Sequence, residues 1–80
     1  MQITIRLLAS YRRYLPEEHD IPSGYSQHVA TDACVRDVLD ELPIPSSEAF
    51  TFLVNGRHAR QDQILQAGDT IAVFPSAGGG

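Results

Sequence analysis

One short helical stripe separates two groups of alternating, strand-like segments along these 80 residues. Four apolar residues recur with the i, i+3, i+4, i+7 spacing of an amphipathic helix: Val35, Val38, Leu39 and Leu42. Pro43 and Pro45 stop this helix. A helix of about 8–10 residues is unstable alone, so it must pack against a sheet. The pattern therefore predicts an α+β fold, with the helix on one face of a mixed sheet of four to five strands.

Four segments have the apolar–polar alternation of β-strands. Residues 2–8 alternate strictly, a weaker strand is predicted at residues 25–30, and two further strands are predicted at residues 50–55 and 70–74. Asn55-Gly56 predicts a type I′ turn into a short return strand at residues 57–60. We expect the first and last strands to lie parallel at the centre of the sheet, because the chain between them serves as the crossover.

The connections contain their own signals. Residues 9–24 read as a long connection with a helical turn, anchored by Tyr11, Tyr14 and Leu15. Thr31 or Asp32 is a conventional helix N-cap, and Cys34 is an alternative if Asp37 reaches back to it. We also expect Ile64 and Leu65, in a connecting loop, to fill the core as apolar plugs. Gly68-Asp69 is expected to form a turn before the last strand.

Composition excludes several functions. A net charge of −4 argues against nucleic-acid binding, and no apolar run is long enough to span a membrane. The lone Cys34 excludes an intrachain disulfide, and with no visible signal peptide it favours the cytoplasm. Cys34 and the three histidines have no metal-binding spacing. All six basic residues are arginine, so no lysine amine can accept an isopeptide bond.

The sequence ends in Gly78, Gly79 and Gly80. Glycines lose the most entropy on ordering, so this run is poor structural material. It could be a frayed terminus, or a slender arm that carries a reactive carboxylate at its tip. We therefore expect a folded domain over residues 1–75 and a flexible tail over residues 76–80.

Several motifs together resemble the ubiquitin-like β-grasp sulfur carriers of the MoaD/ThiS type. They are Asn55-Gly56, the Leu-x-x-Gly-Asp sequence at residues 65–69, Phe74-Pro75 and the terminal Gly79-Gly80. Phe74-Pro75 is most similar to the small subunit of molybdopterin synthase, in the pathway to the molybdenum cofactor. The resemblance covers most of the chain and is weakest over residues 9–24.

The resemblance implies a carrier that is not itself an enzyme and binds no cofactor or metal. A ubiquitin-activating-type adenylyltransferase would use ATP to join the Gly80 carboxylate to AMP. A sulfur-donor persulfide protein would then convert it to a thiocarboxylate. The large subunit of molybdopterin synthase, or another sulfur-acceptor enzyme, would take the sulfur.

The parity of the strands predicts a docking surface near the tail. Ile71 and Val73 should face the helix, which leaves Phe74, Leu8 and Leu53 on the open face, with Pro75 at the strand end. An apolar patch beside a reactive terminus is suited to partner binding. The alternative is that these are ordinary scattered surface residues.

Three other functions remain open. The sulfur could go to thiamine, cysteine, methionine or a tungsten-type pterin. The chain could instead be a protein modifier conjugated to lysines through Gly80, or a passive β-grasp interaction module with an inert tail.

Overall fold

The computed structural model describes residues 1–14, 24–42, 44 and 50–76. Within them lie four strands, β1 (Gln2–Leu7), β2 (Tyr25–His28), β3 (Phe50–Val54) and β4 (Thr70–Pro75). A 3₁₀ helix (Ala9–Tyr14) follows β1, and the helix α1 (Val35–Leu39) follows β2. The predictions about Leu15, Pro43, Pro45 and Gly78 to Gly80 lie outside the described residues.

The strands form one mixed sheet in the order β2-β1-β4-β3. The first and last strands pair in parallel at its centre, with Ile5 opposite Ile71 and Leu7 opposite Val73. The outer strands β2 and β3 pair antiparallel to β1 and β4. The predicted central parallel pair is therefore confirmed, and the described residues contain four strands rather than five.

The core lies between the sheet and α1. Every second side chain of β1 and β4 points into the core. There these side chains pack with Val35 and Val38 of α1. The most buried side chains are Tyr11, Ile3, Ile5, Leu65, Ile71, Val35, Val38 and Val73. Tyr11 belongs to the 3₁₀ helix, so the predicted anchor in the first connection is confirmed.

The helix is shorter than the stripe of apolar residues predicts. It begins after Cys34, whose backbone N–H donates to the Asp37 carboxylate at 3.0 Å, so the cap is neither Thr31 nor Asp32. Val35 and Arg36 donate their backbone N–H groups to carbonyls of the segment at residues 61–63. These bonds satisfy donors that the first turn of a helix leaves unpaired.

The Asn55-Gly56 turn is confirmed, but the predicted return strand is wrong. Both residues have positive φ, 53° and 79°, as a type I′ turn requires. Only Val54 and Arg57 then pair across the turn, as an isolated bridge. Residues 58–60 form no strand, and residues 61–65 bond to residues 33–36 rather than to β3.

Ile64 and Leu65, the two apolar residues predicted to fill the core from a loop, differ in their burial. Leu65 is buried at 2% exposure, whereas Ile64 is 57% exposed, so the prediction for Ile64 is wrong. Ile64 forms an isolated antiparallel bridge with Cys34, and successive residues of an extended segment point to opposite sides. Only one of two neighbouring residues in such a segment can reach the core.

Candidate docking surface at the carboxyl-terminal exit

The final strand brings the chain out of the centre of the sheet. Ile71 and Val73 are fully buried against the helix side. Ala72 and Phe74 alternate with them and lie half-buried on the open face, as the sequence predicts. Because β4 is central, both neighbouring strands lie beside this exit.

The register brings the predicted docking residues toward one end of the open face. Phe74 lies opposite Thr51, and Leu53 lies opposite Ala72. The backbone N–H of Leu8 donates to the carbonyl of Val73 at 2.9 Å, so Leu8 lies beside the end of β4. We call Leu8, Leu53, Ala72 and Phe74 the exit patch.

The exit patch is less exposed than an open apolar surface would be. All four of its side chains are half-buried, and among the described residues Ile64 is the one large apolar side chain that is mostly exposed. Pro75, predicted to dock partners together with Phe74, lies opposite Phe50 and has the parity of the helix side. It therefore ends the strand next to the patch and does not form part of it.

The first residue after β4 is held in place. The hydroxyls of Ser76 and Thr51 are hydrogen-bonded at 3.3 Å, and Ser76 is half-buried. The tail predicted over residues 76–80 begins at this residue, and here the serine hydroxyl has a partner on β3. The predictions for Gly78, Gly79 and Gly80 fall outside the described part of the chain.

Gly24 is a contributor to the open face that sequence reasoning missed. A Cβ on Gly24 would lie 2.4 Å from the carbonyl oxygen of Ile5 and 2.7 Å from Cγ of Arg6. The side chain of Arg6 therefore lies against the bare backbone of Gly24 at the entrance to β2. Arg6 also lies opposite Ala72 in the register, so a cationic side chain adjoins the exit patch. The signal in the sequence that could have identified this position is a glycine directly before a predicted strand.

At the other end of the sheet, the two turn motifs of the sequence are joined. The side-chain amide of Asn55 donates to the Asp69 carboxylate at 2.9 Å, and its oxygen accepts the N–H of Thr70 at 2.9 Å. The other oxygen of Asp69 accepts the N–H of Gln66 at 2.8 Å. These bonds fix where β3 ends and β4 begins, and they lie far from the exit.

The described residues bring no acid–base or metal-binding cluster to the exit patch. No three His, Cys, Asp or Glu side chains in this part of the chain are placed to hold a metal ion. Burial raises the pKa of Tyr25, which lies on the outer strand β2, opposite Ile5. Within the same residues, no helix has the length and apolar character needed to cross a membrane.

Comparison with known proteins identifies the family. The sequence profile of the ThiS family matches residues 5–80. No curated protein sequence matches the chain significantly.

Solved structures have the same fold. A protein from Pyrococcus furiosus assigned as molybdopterin converting factor subunit 1 is 21% identical, with a TM-score of 0.77 over 95% of this chain and 98% of that chain. The crystal structure of SAMP1 from Haloferax volcanii is 22% identical, with a TM-score of 0.70 over the whole of both chains. The solution structure of the Haloferax volcanii HVO 2177 protein is 28% identical, with a TM-score of 0.69 over 100% of this chain and 87% of that chain.

These matches confirm the ubiquitin-like β-grasp fold. Proteins of this family are small, non-catalytic carriers that generally work with an adenylyltransferase and a sulfur-acceptor enzyme. The family match covers nearly all of the sequence, including the strand that leads to the glycines. The chain belongs to the ThiS family and is a ubiquitin-like protein of the MoaD/ThiS sulfur-carrier type.

Proposed function

We propose that the Gly80 carboxylate is the reacting group of this carrier, and that the chain serves as the small subunit of molybdopterin synthase. A ubiquitin-activating-type adenylyltransferase joins the carboxylate to AMP at the expense of ATP. The resulting thiocarboxylate then supplies sulfur to the large subunit of the synthase for molybdenum cofactor biosynthesis.

The observation that carries the proposal is the course of β4. This central strand ends at Phe74 and Pro75, next to Leu8. A partner that binds the exit patch therefore also lies close to the start of the tail. Phe74-Pro75 and the likeness to the Pyrococcus furiosus protein favour the molybdopterin pathway over the thiamine pathway.

The proposed chemistry takes place in partner active sites. A carboxylate oxygen attacks the α-phosphorus of ATP, which forms an acyl adenylate and releases pyrophosphate. A persulfide sulfur then attacks the acyl carbon and displaces AMP. The product is an acyl disulfide, joined by a new C–S bond. A thiol then cleaves the S–S bond that the donor's persulfide already contained, which leaves the thiocarboxylate and a disulfide. Glycines let the tail enter a narrow channel in which a Cβ would clash.

Deletion of Gly80 tests the reach of the carboxylate. The shortened chain still ends in two glycines, but its carboxylate is displaced by roughly 3.5 Å. Misplacement by about 1 Å can lower a rate on the order of a hundredfold, so we expect sulfur transfer to be abolished. The melting temperature should change by no more than about 4 °C, because surface changes are worth about 0.5 kcal/mol or less and each kcal/mol corresponds to about 4–8 °C.

The assay is ATP-dependent adenylation by the cognate activating enzyme, followed by sulfuration of the pterin. A chain of full length with a carboxamide in place of the Gly80 carboxylate is the matched control, since it keeps the reach and removes the reacting oxygen. Sulfur transfer at a normal rate by either variant would show that the Gly80 carboxylate is not the reacting group. A passive interaction module would tolerate both changes.

A protein modifier is the second candidate, favoured by the match to SAMP1, which covers the whole of both chains. A second crystal structure with the same fold is that of the Haloferax volcanii small archaeal modifier protein 1. Both candidates begin with the same activation. Covalent adducts of higher mass in the native host support the modifier, and a free thiocarboxylate on the purified protein supports the carrier. Sulfur incorporation into thiamine or another metabolite, without pterin sulfuration, would show that the carrier serves that other pathway.

A further inference from the structure

The sequence contains no lysine, and its one primary amine is the α-amino group of Met1. We propose that this absence protects the chain from its own activated terminus. The activated carrier then acylates only foreign amines, and as a modifier it is added as a single copy that cannot be extended. This inference rests on the proposed activation of Gly80.

The reaction at issue is aminolysis. An amine nitrogen attacks the activated acyl carbon, a C–N bond forms, and the C–S or C–O bond to the leaving group breaks. The amine loses its proton to solvent. Arginine is protonated at any pH that the folded protein experiences, so its guanidinium is not a competing nucleophile. The side chains of this protein therefore offer no amine for the reaction.

The Met1 amine is engaged in the sheet. It donates to the carbonyl of Val29 at 2.8 Å, and the Val29 N–H donates back to the Met1 carbonyl at 2.8 Å. This reciprocal pair continues the β1–β2 ladder by one step beyond Gln2 and His28. Acylation of Met1 would require this terminal pair to open first.

The Met1 amine is also out of reach of the tail in the same molecule. Thr4 lies opposite Thr70, and the Gly68 N–H donates to the Gln2 carbonyl, so Met1 lies at the start of β4. From there to Pro75 is about eight residues of strand, or roughly 26 Å. Five residues follow Pro75, and five extended residues span at most about 18 Å.

The half-buried thiol of Cys34 is a different kind of nucleophile. It can exchange with an activated sulfur ester, but the product is another thioester. With no lysine in the chain to take the acyl group onward, an excess of small thiol reverses the exchange. Cys34 therefore yields no stable amide.

The test uses the full chain with a thioester of a small thiol at Gly80, made by intein cleavage without the activating enzyme. The thioester is incubated near pH 8 with excess small thiol, and products are followed by intact mass. We expect the unmodified sequence to lose its thioester by hydrolysis alone. Free lysine at high concentration should give the amide, which shows that the thioester is competent.

Two lysine variants are the matched controls. Ser10 is exposed two residues beyond Leu8, near the exit, and Ala67 is exposed at the Met1 end of the sheet. Ser10→Lys should form an intramolecular amide at a rate that does not depend on protein concentration, because two groups joined by a short segment have effective concentrations of about millimolar. Ala67→Lys should form amide-linked dimers at a rate that rises with concentration.

Amide-linked dimers or circles of the unmodified sequence, mapped to Met1, would overturn the inference. So would the absence of amide products in both lysine variants while free lysine still reacts. Because the thioester is made chemically, these outcomes do not depend on the activating enzyme. Loss of the proposed function is detected separately, by the Gly80 deletion and the carboxamide.

Discussion

Replacement of Gly24 by alanine should destabilise this protein more than the same change at any other described glycine. Two effects act together there. Gly24 has a φ of +91°, in the left-handed region that side chains disfavour. An added Cβ would also lie 2.4 Å from the Ile5 carbonyl oxygen, a backbone atom of the central strand β1. That oxygen cannot move without disturbing the pairing of β1 with β2.

The magnitude follows from the two effects. A non-glycine residue in the left-handed region costs about 1–2 kcal/mol. Forcing extra atoms into a packed site typically costs about 1–3 kcal/mol. The free energy of unfolding should therefore fall by about 2–5 kcal/mol for Gly24→Ala. For a domain of this size, each kcal/mol corresponds to about 4–8 °C of melting temperature, so we expect a drop of roughly 8–40 °C.

Gly68→Ala separates the two effects. Gly68 has a similar φ of +87°, but an added Cβ meets nothing within 4 Å. Only the backbone term of about 1–2 kcal/mol should remain in this control. Thermal melts followed by circular dichroism compare the two variants. Equal losses in both variants would refute the reasoning, because the close approach of β1 to Gly24 would then contribute nothing.

Three further predictions concern the exit patch, the joined turns and the outer strand. Phe74→Ala should weaken binding to the activating enzyme or synthase subunit by about 2 kcal/mol, roughly 30-fold. It should lower stability far less than Ile71→Ala, which should cost about 2–5 kcal/mol; equal melts for these two variants would place Phe74 in the core. Asn55→Ala removes both the bond to the Asp69 carboxylate and the acceptor for the Thr70 N–H. It should cost about 1–3 kcal/mol in urea denaturation, and an unchanged midpoint would show that these bonds contribute nothing. Burial raises the pKa of Tyr25 above its ordinary value of about 10, so the unfolded chain releases this proton first and stability should fall as pH rises above about 10. Tyr25→Phe should have a flatter stability profile above that pH, and an identical slope in both proteins would contradict the assignment.

The elements with a clear period could be predicted from the sequence. Strict alternation at residues 2–8 and the strand pattern at residues 70–74 indicated two strands, and the intervening length allowed a parallel crossover. The same alternation assigned Ile71 to the core and Phe74 to the open face, and both assignments are confirmed. The spacing of apolar residues along a strand or helix shows which of its sides is apolar, and the apolar side is the one that becomes buried.

What the sequence could not provide depends on contacts between distant segments. The return strand predicted at residues 57–60 does not form. The residues that follow it, 61–63, bond to the start of α1, a contact that local sequence patterns do not indicate. The sequence left the helix cap open between Thr31, Asp32 and Cys34. Only the structure shows the bond from the Cys34 N–H to the Asp37 carboxylate that confirms the Cys34 alternative. The tie between Asn55 and Asp69, 14 residues apart, is likewise visible only in three dimensions.

The parallel pairing of the first and last strands has a consequence for how the protein is made. Ile5 and Leu7 are synthesised early, but their neighbours in the sheet, Ile71 and Val73, are among the last core residues to appear. Contacts with so large a separation slow folding, because a long loop must close before they form. A nascent chain without β4 exposes one edge of β1 and the apolar side of α1, which are the surfaces that promote aggregation. The core is therefore completed only after β4 has been synthesised, and β4 is also the strand that precedes the glycines.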